Sequence, residues 1–263
     1  MPDQFIERAS EENHLILTLN RPDKLNSFTK KMALDLQSAL NDAAQNNGVR
    51  SVILTGSGRA FCAGQDLSET LENDKLEDYQ LGDTVRSCYN PIIQQLQTMP
   101  KPVIAAVNGT AAGAGANLAF ACDFLIAAEG AKFIQSFSRI GLIPDSGGTY
   151  ILPRMLGYHR ALELMMLGEP ISAEQANDWG IVREVIPNNE LMTRANQFAQ
   201  KLARMPTQSL GYIKQAMKNS YTNSLEDQLE LEAKLQSMAG NSADYREGIQ
   251  AFLQKRTAEF EGN

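Results

Sequence analysis

The chain has 263 residues, with 24 basic and 31 acidic side chains, and therefore a net charge of −7. A hydrophobic share of 43% and a charged share of 21% are ordinary for a globular protein and exclude a chain that is disordered throughout. The acidic balance argues against nucleic acid or an anionic membrane surface as the main partner, and no apolar run approaches the ~18 residues that a membrane helix needs.

Cysteine and histidine usage limits the chemistry further. Cys62, Cys88 and Cys122 are odd in number and far apart in sequence, which favours reduced, buried thiols in a cytoplasmic protein. The first residues also lack the basic and apolar stretches of a signal peptide. With only two histidines, His14 and His159, and no Cys/His cluster at zinc spacing, we expect no metal site.

The predicted elements alternate between strand and helix as far as residue 187. Apolar runs predict strands, and apolar residues three and four positions apart predict helices. The predicted strands are two within 4–20, then 51–55, 102–107, 124–128, 132–135 and 181–186. The predicted helices are 29–46, 84–98 and several after 147, one of which starts at a capping box of Ser172 and Gln175. This alternation indicates an α/β core.

Two parts of the chain depart from that alternation. Residues 67–83 are acidic and polar, which predicts a loop or a short helix. After Pro187 the pattern is helical throughout, with helices predicted at 190–204, 207–221, 225–239 and 244–256. We therefore expect a core over residues 1–198 and a C-terminal helical region over 199–263, which forms either a small second domain or a cover on the core.

Two segments, 51–66 and 103–117, have the same design. Each is an apolar strand that leads into a turn rich in glycine and alanine and then into a predicted helix. Small residues let the main chain approach a ligand closely, and the free N–H groups at a helix start attract anions. Two such turns that face each other would hold one oxyanion between two main-chain N–H groups. The alternative is that the small residues serve only tight packing of strand against helix.

Nucleotide-binding loops do not account for these segments. The glycines of the second segment are Gly109, Gly113 and Gly115, and Leu118 occupies the position of the third glycine in a G-x-G-x-x-G motif. The chain also contains no G-x-x-x-x-G-K-[ST] motif, which excludes a phosphate loop of the ATPase kind.

A third segment, 137–149, contains a conspicuous carboxylate. Asp145 follows Pro144 and comes shortly before Gly147 and Gly148. An aspartate in this position either caps the following helix or serves as an acid or base in a site. The segment alone does not decide between these roles.

Four stretches together resemble one known family. Residues 19–27, 59–67, 101–109 and 141–149, in this order, are similar to the motifs of the enoyl-CoA hydratase/isomerase (crotonase) superfamily, and the resemblance extends over essentially the whole chain. It implies an α/β spiral of strand–strand–helix turns and C-terminal helices that help to build a homotrimer or a dimer of trimers. It also implies an acyl-CoA thioester as the substrate, so that coenzyme A enters as part of the substrate and no separate cofactor is needed.

The resemblance assigns roles to main-chain groups. The two N–H groups of the family's oxyanion hole fall here on Gln65 and Ala114, and we expect Gly64, Asp66 and Gly113 beside them to line the substrate site. The family's common step forms a thioester enolate, so donors placed where that negative charge develops lower the barrier.

The coenzyme A part of the substrate needs its own contacts. In the family the adenine lies near the loop that holds Ala63. An acidic protein must still bind the phosphates of coenzyme A locally, and Lys24 in the first matching stretch is our candidate for that contact.

The two glutamates with which the family's hydratases add water are both replaced. Their positions hold Asn117 and Phe137, which cannot act as general bases near neutral pH. We expect both residues to line the substrate pocket and to make it neutral and partly aromatic. Asp145 remains, at a position where some isomerases and one dehalogenase of the superfamily have their working carboxylate. A carboxylate in an apolar acyl pocket has a raised pKa, which suits a proton shuttle. The resemblance therefore indicates an acyl-CoA isomerase rather than a hydratase.

The sequence narrows the choice of acyl group on the substrate but leaves several candidates. Stretches 111–116, 140–149 and 242–248 are similar to family members that convert an aryl epoxide carried on acetyl-CoA into an oxepin during phenylacetate catabolism. The same single base would serve a Δ3,Δ2-enoyl-CoA isomerase that acts on linear chains. Two further alternatives are a 4-chlorobenzoyl-CoA dehalogenase, with Asp145 as the nucleophile, and a CoA-binding protein without catalytic activity.

Overall fold

The computed structural model describes residues 4–73 and 79–263. Its strands β1 to β10 are, in chain order, Ile6–Glu11, His14–Leu19, Ser51–Gly56, Ala60–Cys62, Val103–Val107, Thr110–Ala112, Phe124–Ala128, Lys132–Ile134, Pro170–Ser172 and Glu184–Ile186. Its helices α1 to α12 are Lys30–Gln45, Leu67–Asn73, Leu81–Thr84, Asn90–Thr98, Ala114–Phe120, Gly148–Leu156, Tyr158–Leu167, Ala173–Asp178, Leu191–Ala203, Thr207–Asn219, Leu225–Gly240 and Ala243–Gln254.

The strands form two sheets. The larger sheet has the order β1-β2-β3-β5-β7-β10, in which β1 and β2 are antiparallel and the other neighbours are parallel. The smaller sheet has the order β4-β6-β8-β9, with only β9 antiparallel to its neighbour. Strands β3 and β5 are buried at every residue, which explains their unbroken apolar sequences.

The chain winds between the two sheets as a spiral. Strands β3, β5 and β7 are neighbours in the larger sheet, and the strand that follows each of them, β4, β6 and β8, is a neighbour in the smaller one. A helix then follows each pair of strands before the chain returns to the larger sheet. The α/β class predicted from the sequence pattern and the strand–strand–helix repeat implied by the family resemblance are therefore confirmed.

Short elements account for most differences from the predicted elements. Strands β4, β6 and β9 have three residues each and were not predicted, because so short a run shows no measurable periodicity. The predicted helix over 84–98 begins instead as a π-helical turn, Val85–Tyr89, that continues into α4. The predicted strand over 181–186 is formed only at β10. The segment 67–83, predicted as a loop or short helix, begins with α2 and ends in α3. Its residues 74–78 lie outside the described residues.

The predicted C-terminal helices are present as α9 to α12. Helix α9 packs on the larger sheet from its first turn to its last, through the buried residues Leu191, Ala195, Phe198 and Leu202. The expected boundary between core and helical region at 198/199 falls inside this helix. Helices α10 to α12 follow it with far fewer buried side chains.

Two further expectations bear on the type of protein. Cys62, Cys88 and Cys122 are all buried and unpaired, as predicted. Among the described helices, none combines the length and apolarity needed to cross a bilayer.

Candidate active site

The loop after β4 carries the first predicted oxyanion donor. The main-chain N–H of Phe28 donates to the carbonyl of Gly64 at 2.7 Å, and the N–H of Asp66 donates to the carbonyl of Phe28 at 2.9 Å. Gln65 lies between these two bonds, so its own N–H points away from Phe28. Within the described chain this N–H has no hydrogen-bond partner, which leaves it available to a ligand.

The second predicted donor is the first residue of α5. The N–H of Ala114 belongs to the helix's opening turn and has no partner among the described residues. The two loops meet at Gly64, where a Cβ would lie 2.9 Å from the carbonyl oxygen of Ala112 and 3.5 Å from the nitrogen of Ala114. Because Gly64 also has a φ of +94°, only glycine fits this approach. The fold thus brings together the two Gly/Ala-rich turns that the sequence singled out.

Asp66 fixes the shape of the first loop. Its carboxylate accepts a hydrogen bond from the Arg21 guanidinium at 3.0 Å and another from the N–H of Ser68 at 3.0 Å. Burial on its own would raise the pKa of Asp66, but these bonds outweigh burial and hold the pKa below its usual value. Asp66 is therefore an ionised anchor for the loop that presents Gln65.

The turn that carries Asp145 contacts α5 about one helical turn after Ala114. The side-chain Nδ2 of Asn117, three residues after Ala114, donates to the main-chain carbonyl of Asp145 at 2.8 Å. Phe137 is buried beside the same loops, since a Cβ built on Gly113 would lie 3.7 Å from its Cζ. The positions that hold glutamates in the family's hydratases therefore hold a buried amide and an aromatic ring here.

The carboxylate of Asp145 is half-buried and has one close partner. Ser146 Oγ donates to its Oδ1 at 2.8 Å. Burial raises the pKa of Asp145, and the Ser146 hydrogen bond offsets only part of that rise. The alternative role of helix cap is wrong, because the cap of α6 is Gly147 and no side chain bonds to the helix start. Asp145 is thus free to serve as an acid or base.

Sequence reasoning missed Tyr89. This residue ends the π-helical turn, is buried, and packs its ring edge-on against Phe28 with the centroids 6.0 Å apart. Burial raises the pKa of the Tyr89 hydroxyl and the nearby Asp145 carboxylate raises it further, so Tyr89 stays a neutral hydrogen-bond donor close to that carboxylate. A π-helical turn often marks a functional site, but it has no sequence signature by which Tyr89 could have been found.

The loops expected to contact coenzyme A are adjacent. The N–H of Ala63 donates to the carbonyl of Leu25 at 2.9 Å, which places Ala63 beside the turn that carries Lys24. Lys24 is exposed there. The two residues therefore lie on neighbouring loops, as a common binding region for the adenine and the phosphates requires.

The thiol of Cys62, just before the first loop, stays protonated. Burial raises the pKa of the Cys62 thiol to about 12, so this residue at the end of β4 is not a thiolate nucleophile near neutral pH. Within residues 4–73 and 79–263, no group of three or more His, Cys, Asp or Glu side chains is placed to hold a metal ion.

Comparison with known proteins identifies the family. The family model described as enoyl-CoA hydratase/isomerase matches residues 10–263. The chain belongs to this family. It is 48% identical to the 1,2-epoxyphenylacetyl-CoA isomerase of Escherichia coli (strain K12) over 259 residues, which cover 98% of this chain and 99% of that one.

Two further members of the enoyl-CoA hydratase/isomerase family carry hydratase names. A protein of Rhodobacter capsulatus, described as a probable enoyl-CoA hydratase, is 44% identical over 95% of each chain. The crystal structure of an enoyl-CoA hydratase from Polaromonas sp. JS666 superimposes with a TM-score of 0.90 at 38% identity, covering 97% of this chain and 99% of that one. The family resemblance and the crotonase fold are therefore confirmed, and the chain is an acyl-CoA isomerase or hydratase of the crotonase superfamily.

Proposed function

We propose that the protein is an acyl-CoA isomerase whose substrate is 2-(1,2-epoxy-1,2-dihydrophenyl)acetyl-CoA and whose product is the corresponding oxepin-CoA. The observation that carries the proposal is that α5 begins at Ala114 and, three residues later, holds the main chain of Asp145 through Asn117. The N–H groups of Gln65 and Ala114 have no partner among the described residues. The 48% identity to an isomerase of this name over nearly the full length supports the choice of acyl group.

Asp145 is the proposed general base. Burial raises the pKa of its carboxyl group above the ordinary value, which makes the ionised carboxylate a stronger base. It removes a proton from the carbon next to the thioester carbonyl. The negative charge moves to the thioester oxygen, where the N–H groups of Gln65 and Ala114 stabilise it; one such donor is worth about 3 kcal/mol.

The enolate then drives the isomerisation. Its electrons open the strained epoxide and the six-membered ring expands to the oxepin. An isomerisation neither adds nor removes atoms, so the proton taken by Asp145 must return to the product. Protonated Asp145 can return it, and the neutral hydroxyl of Tyr89, whose pKa the Asp145 carboxylate raises, is a second proposed donor.

Hydration is the second candidate because of the names of some relatives. Water addition in this family needs two carboxylates to activate and deliver the water. Asn117 uses its amide to bind Asp145 and Gln135, and Phe137 offers no polar atom. We therefore expect no enoyl-CoA hydration above the level of a variant that lacks Asp145.

Three substrates separate these functions. We would incubate the purified protein with the aryl epoxide of acetyl-CoA, with cis-3-hexenoyl-CoA and with crotonyl-CoA, and follow the products by chromatography and mass spectrometry. We expect turnover of the epoxide, and an at least ~100-fold lower rate for Asp145→Ala, which is the usual contribution of a general base. Asp145→Asn, which keeps the size of the side chain, should lose activity to the same extent.

Other outcomes would contradict the proposal in distinguishable ways. Turnover of the linear 3-enoyl-CoA without action on the epoxide would indicate a Δ3,Δ2-enoyl-CoA isomerase. Hydration of crotonyl-CoA that survives Asp145→Asn would indicate a hydratase. An aryl ester found by mass on Asp145 after incubation with 4-chlorobenzoyl-CoA would indicate a dehalogenase. Binding of CoA thioesters without turnover of any of them would indicate a protein that only binds CoA.

A further inference from the structure

Asn117 holds the main chain of Asp145. It is wholly buried in α5, and its Nδ2 donates to the Asp145 carbonyl at 2.8 Å. The same carbonyl accepts the N–H of Gly148 at 2.9 Å. The turn between these residues contains Ser146 and Gly147 with φ values of +50° and +75°, and an L-residue such as Ser146 adopts the left-handed region only where its surroundings impose it. The side chain of Asn117 supplies the one hydrogen bond from α5 that holds this strained turn.

Asp145 determines how the side-chain amides of Asn117 and Gln135 are oriented. A carbonyl only accepts, so Asn117 must turn its Nδ2 towards Asp145 and its Oδ1 towards Gln135. Gln135 Nε2 then donates to that Oδ1 at 2.8 Å. This leaves Gln135 Oε1 buried and without a partner in the described chain, although the residue is only 3% exposed. Gln135 Oε1 has no partner because both side-chain amides are oriented so that Asn117 Nδ2 can donate to Asp145.

Helix α5 and the Asp145 turn are packed too closely to move separately. A Cβ built on Gly148 would lie 2.4 Å from Asn117 Nδ2 and 2.8 Å from its Cγ. Asn117 is also three residues after Ala114, about 4.5 Å along the helix axis. A single buried helix therefore sets the spacing between the proposed oxyanion donor and the proposed base.

From this we infer that Asn117, supported by Gln135, is a positioning residue that fixes Asp145 relative to the oxyanion donors. Its amide does not contact substrate, because both of its polar atoms are already bonded and the residue is wholly buried. An amide suits this role because it donates to the Asp145 carbonyl, whereas an ionised carboxylate of the hydratase type would repel it. The inference rests on the proposed function of Asp145.

The first test removes the donor without changing the branching of the side chain. Asn117→Leu should lower kcat about 100-fold and change KM by less than about twofold, because a displaced base costs rate rather than binding. Gln135→Met should lower kcat about 10-fold, since Asn117 stays in place but loses the bond that orients it. The matched control is Gln97→Met, which removes a 2.8 Å amide-to-carbonyl bond at the other end of α5, to Ala121, and should leave kcat within about twofold of the wild type.

A pH profile separates loss of the hydrogen bond from loss of packing, because only the former depends on pH here. Asn117→Asp offers a donor only while its own carboxyl is protonated, so its rate relative to the wild type should fall as pH rises. The relative deficit of Asn117→Leu should stay constant over the same range. Gln135→Met keeps the test decisive if either Asn117 variant fails to fold, which circular dichroism would reveal.

Hydrogen exchange separates this inference from the proposed function. The Gly148 amide should exchange faster in Asn117→Leu and Gln135→Met than in the wild type and Gln97→Met, with no substrate present. Wild-type kcat and unchanged exchange in Asn117→Leu and Gln135→Met would overturn the inference while the proposed function stands. Absence of turnover by the wild-type protein on either isomerase substrate would overturn the proposed function and this inference with it, whatever the exchange shows.

Discussion

At the level of single residues, the burial of Asp145 has two opposite effects: it costs stability and it makes the carboxylate a stronger base. Its carboxylate is partly withdrawn from water, which raises its pKa, and the hydrogen bonds from Ser146 and from its own main-chain N–H compensate only in part. Ionisation at neutral pH therefore costs folding free energy, and the same cost makes the carboxylate a stronger base. Asp66, on the neighbouring loop, has its pKa lowered by Arg21 and keeps its charge for a structural purpose.

The raised pKa of Asp145 has a measurable effect on stability. The native state holds this proton more tightly than the unfolded state, so the contribution of Asp145 to stability falls as pH rises from the unfolded pKa through the higher folded pKa. Asp145→Asn has no such titration. We therefore expect the variant to gain unfolding free energy relative to the wild type as pH rises above about 4, the ordinary pKa of aspartate, until the higher folded-state pKa is passed, measured by urea unfolding. A constant difference over this range would show that Asp145 has an ordinary pKa.

At the level of elements, the site depends on how closely α5 approaches β4. A Cβ on Gly115 would lie 2.3 Å from the carbonyl oxygen of Cys62 and 2.7 Å from its Cβ, so any larger residue must push the helix away from the strand. Every residue of α5 is buried, which leaves the helix little room to move in other directions. The same close approach sets the position of the Ala114 amide at the start of the helix.

Gly115→Ala should therefore damage activity and stability together. We expect a loss of roughly 1–3 kcal/mol of unfolding free energy from overpacking and at least a ~10-fold lower kcat, because the Ala114 amide moves away from the thioester oxygen. Kinetics and urea unfolding would measure both effects.

Ser172→Ala is the control for Gly115→Ala. It removes the capping box of α8, in which Ser172 and Gln175 exchange two hydrogen bonds of 3.1 Å. This should cost about 1 kcal/mol with no loss of kcat. If the two variants were equally active at equal stability loss, the position of α5 would not matter for catalysis.

On the scale of the whole molecule, the C-terminal helices leave large apolar side chains exposed. Phe252 is 83% exposed and Leu253 74% exposed on α12, and Leu225 at the start of α11 is 76% exposed. Large exposed apolar side chains grouped on adjoining helices favour contact with another chain. We propose that these helices assemble the protein into the homotrimer, or dimer of trimers, that the family resemblance implies.

Charge placed on that surface should prevent assembly. The double variant Phe252→Glu with Leu253→Glu should shift the protein to the mass of a single chain, because an ionised carboxylate is costly to bury in an apolar contact. Light scattering coupled to gel filtration measures the mass directly. Gln250→Glu, an exposed position on the same helix, adds the same kind of charge and should leave the mass unchanged. A monomeric wild type would contradict the proposed assembly.

The sequence predicted most of the fold because most of its elements carry strong local signals. The buried strands β3, β5 and β7 are continuous apolar runs, and α1 shows its apolar face at three- and four-residue spacing. Of the three-residue strands in the smaller sheet, only β8 is predicted by an apolar run, and β4, β6 and β9 are not. Their hydrogen bonds come from partners far away in the chain, which no local pattern records.

In the candidate site, too, some features follow from local sequence and others only from contacts between distant residues. Asp145 and the two Gly/Ala-rich turns were recognisable from the sequence because chemistry at a turn needs those residue types in those positions. The sequence did not reveal that Asn117 holds the Asp145 carbonyl or that Tyr89 lies near the carboxylate. The family pattern shows position 117 only as the site of a lost glutamate, whereas in the fold the Asn117 amide donates to Asp145, 28 positions away.

By itself, then, the sequence determined the residue types available for chemistry, the positions of most strands of the larger sheet, and the family. Only the tertiary structure decided which groups are free and which are occupied. A side chain's pKa and an amide's availability depend on burial and on partners brought from distant parts of the chain. The raised pKa of Asp145 and the two unpartnered N–H groups are properties of that packing, and the same residues in an extended chain would have neither.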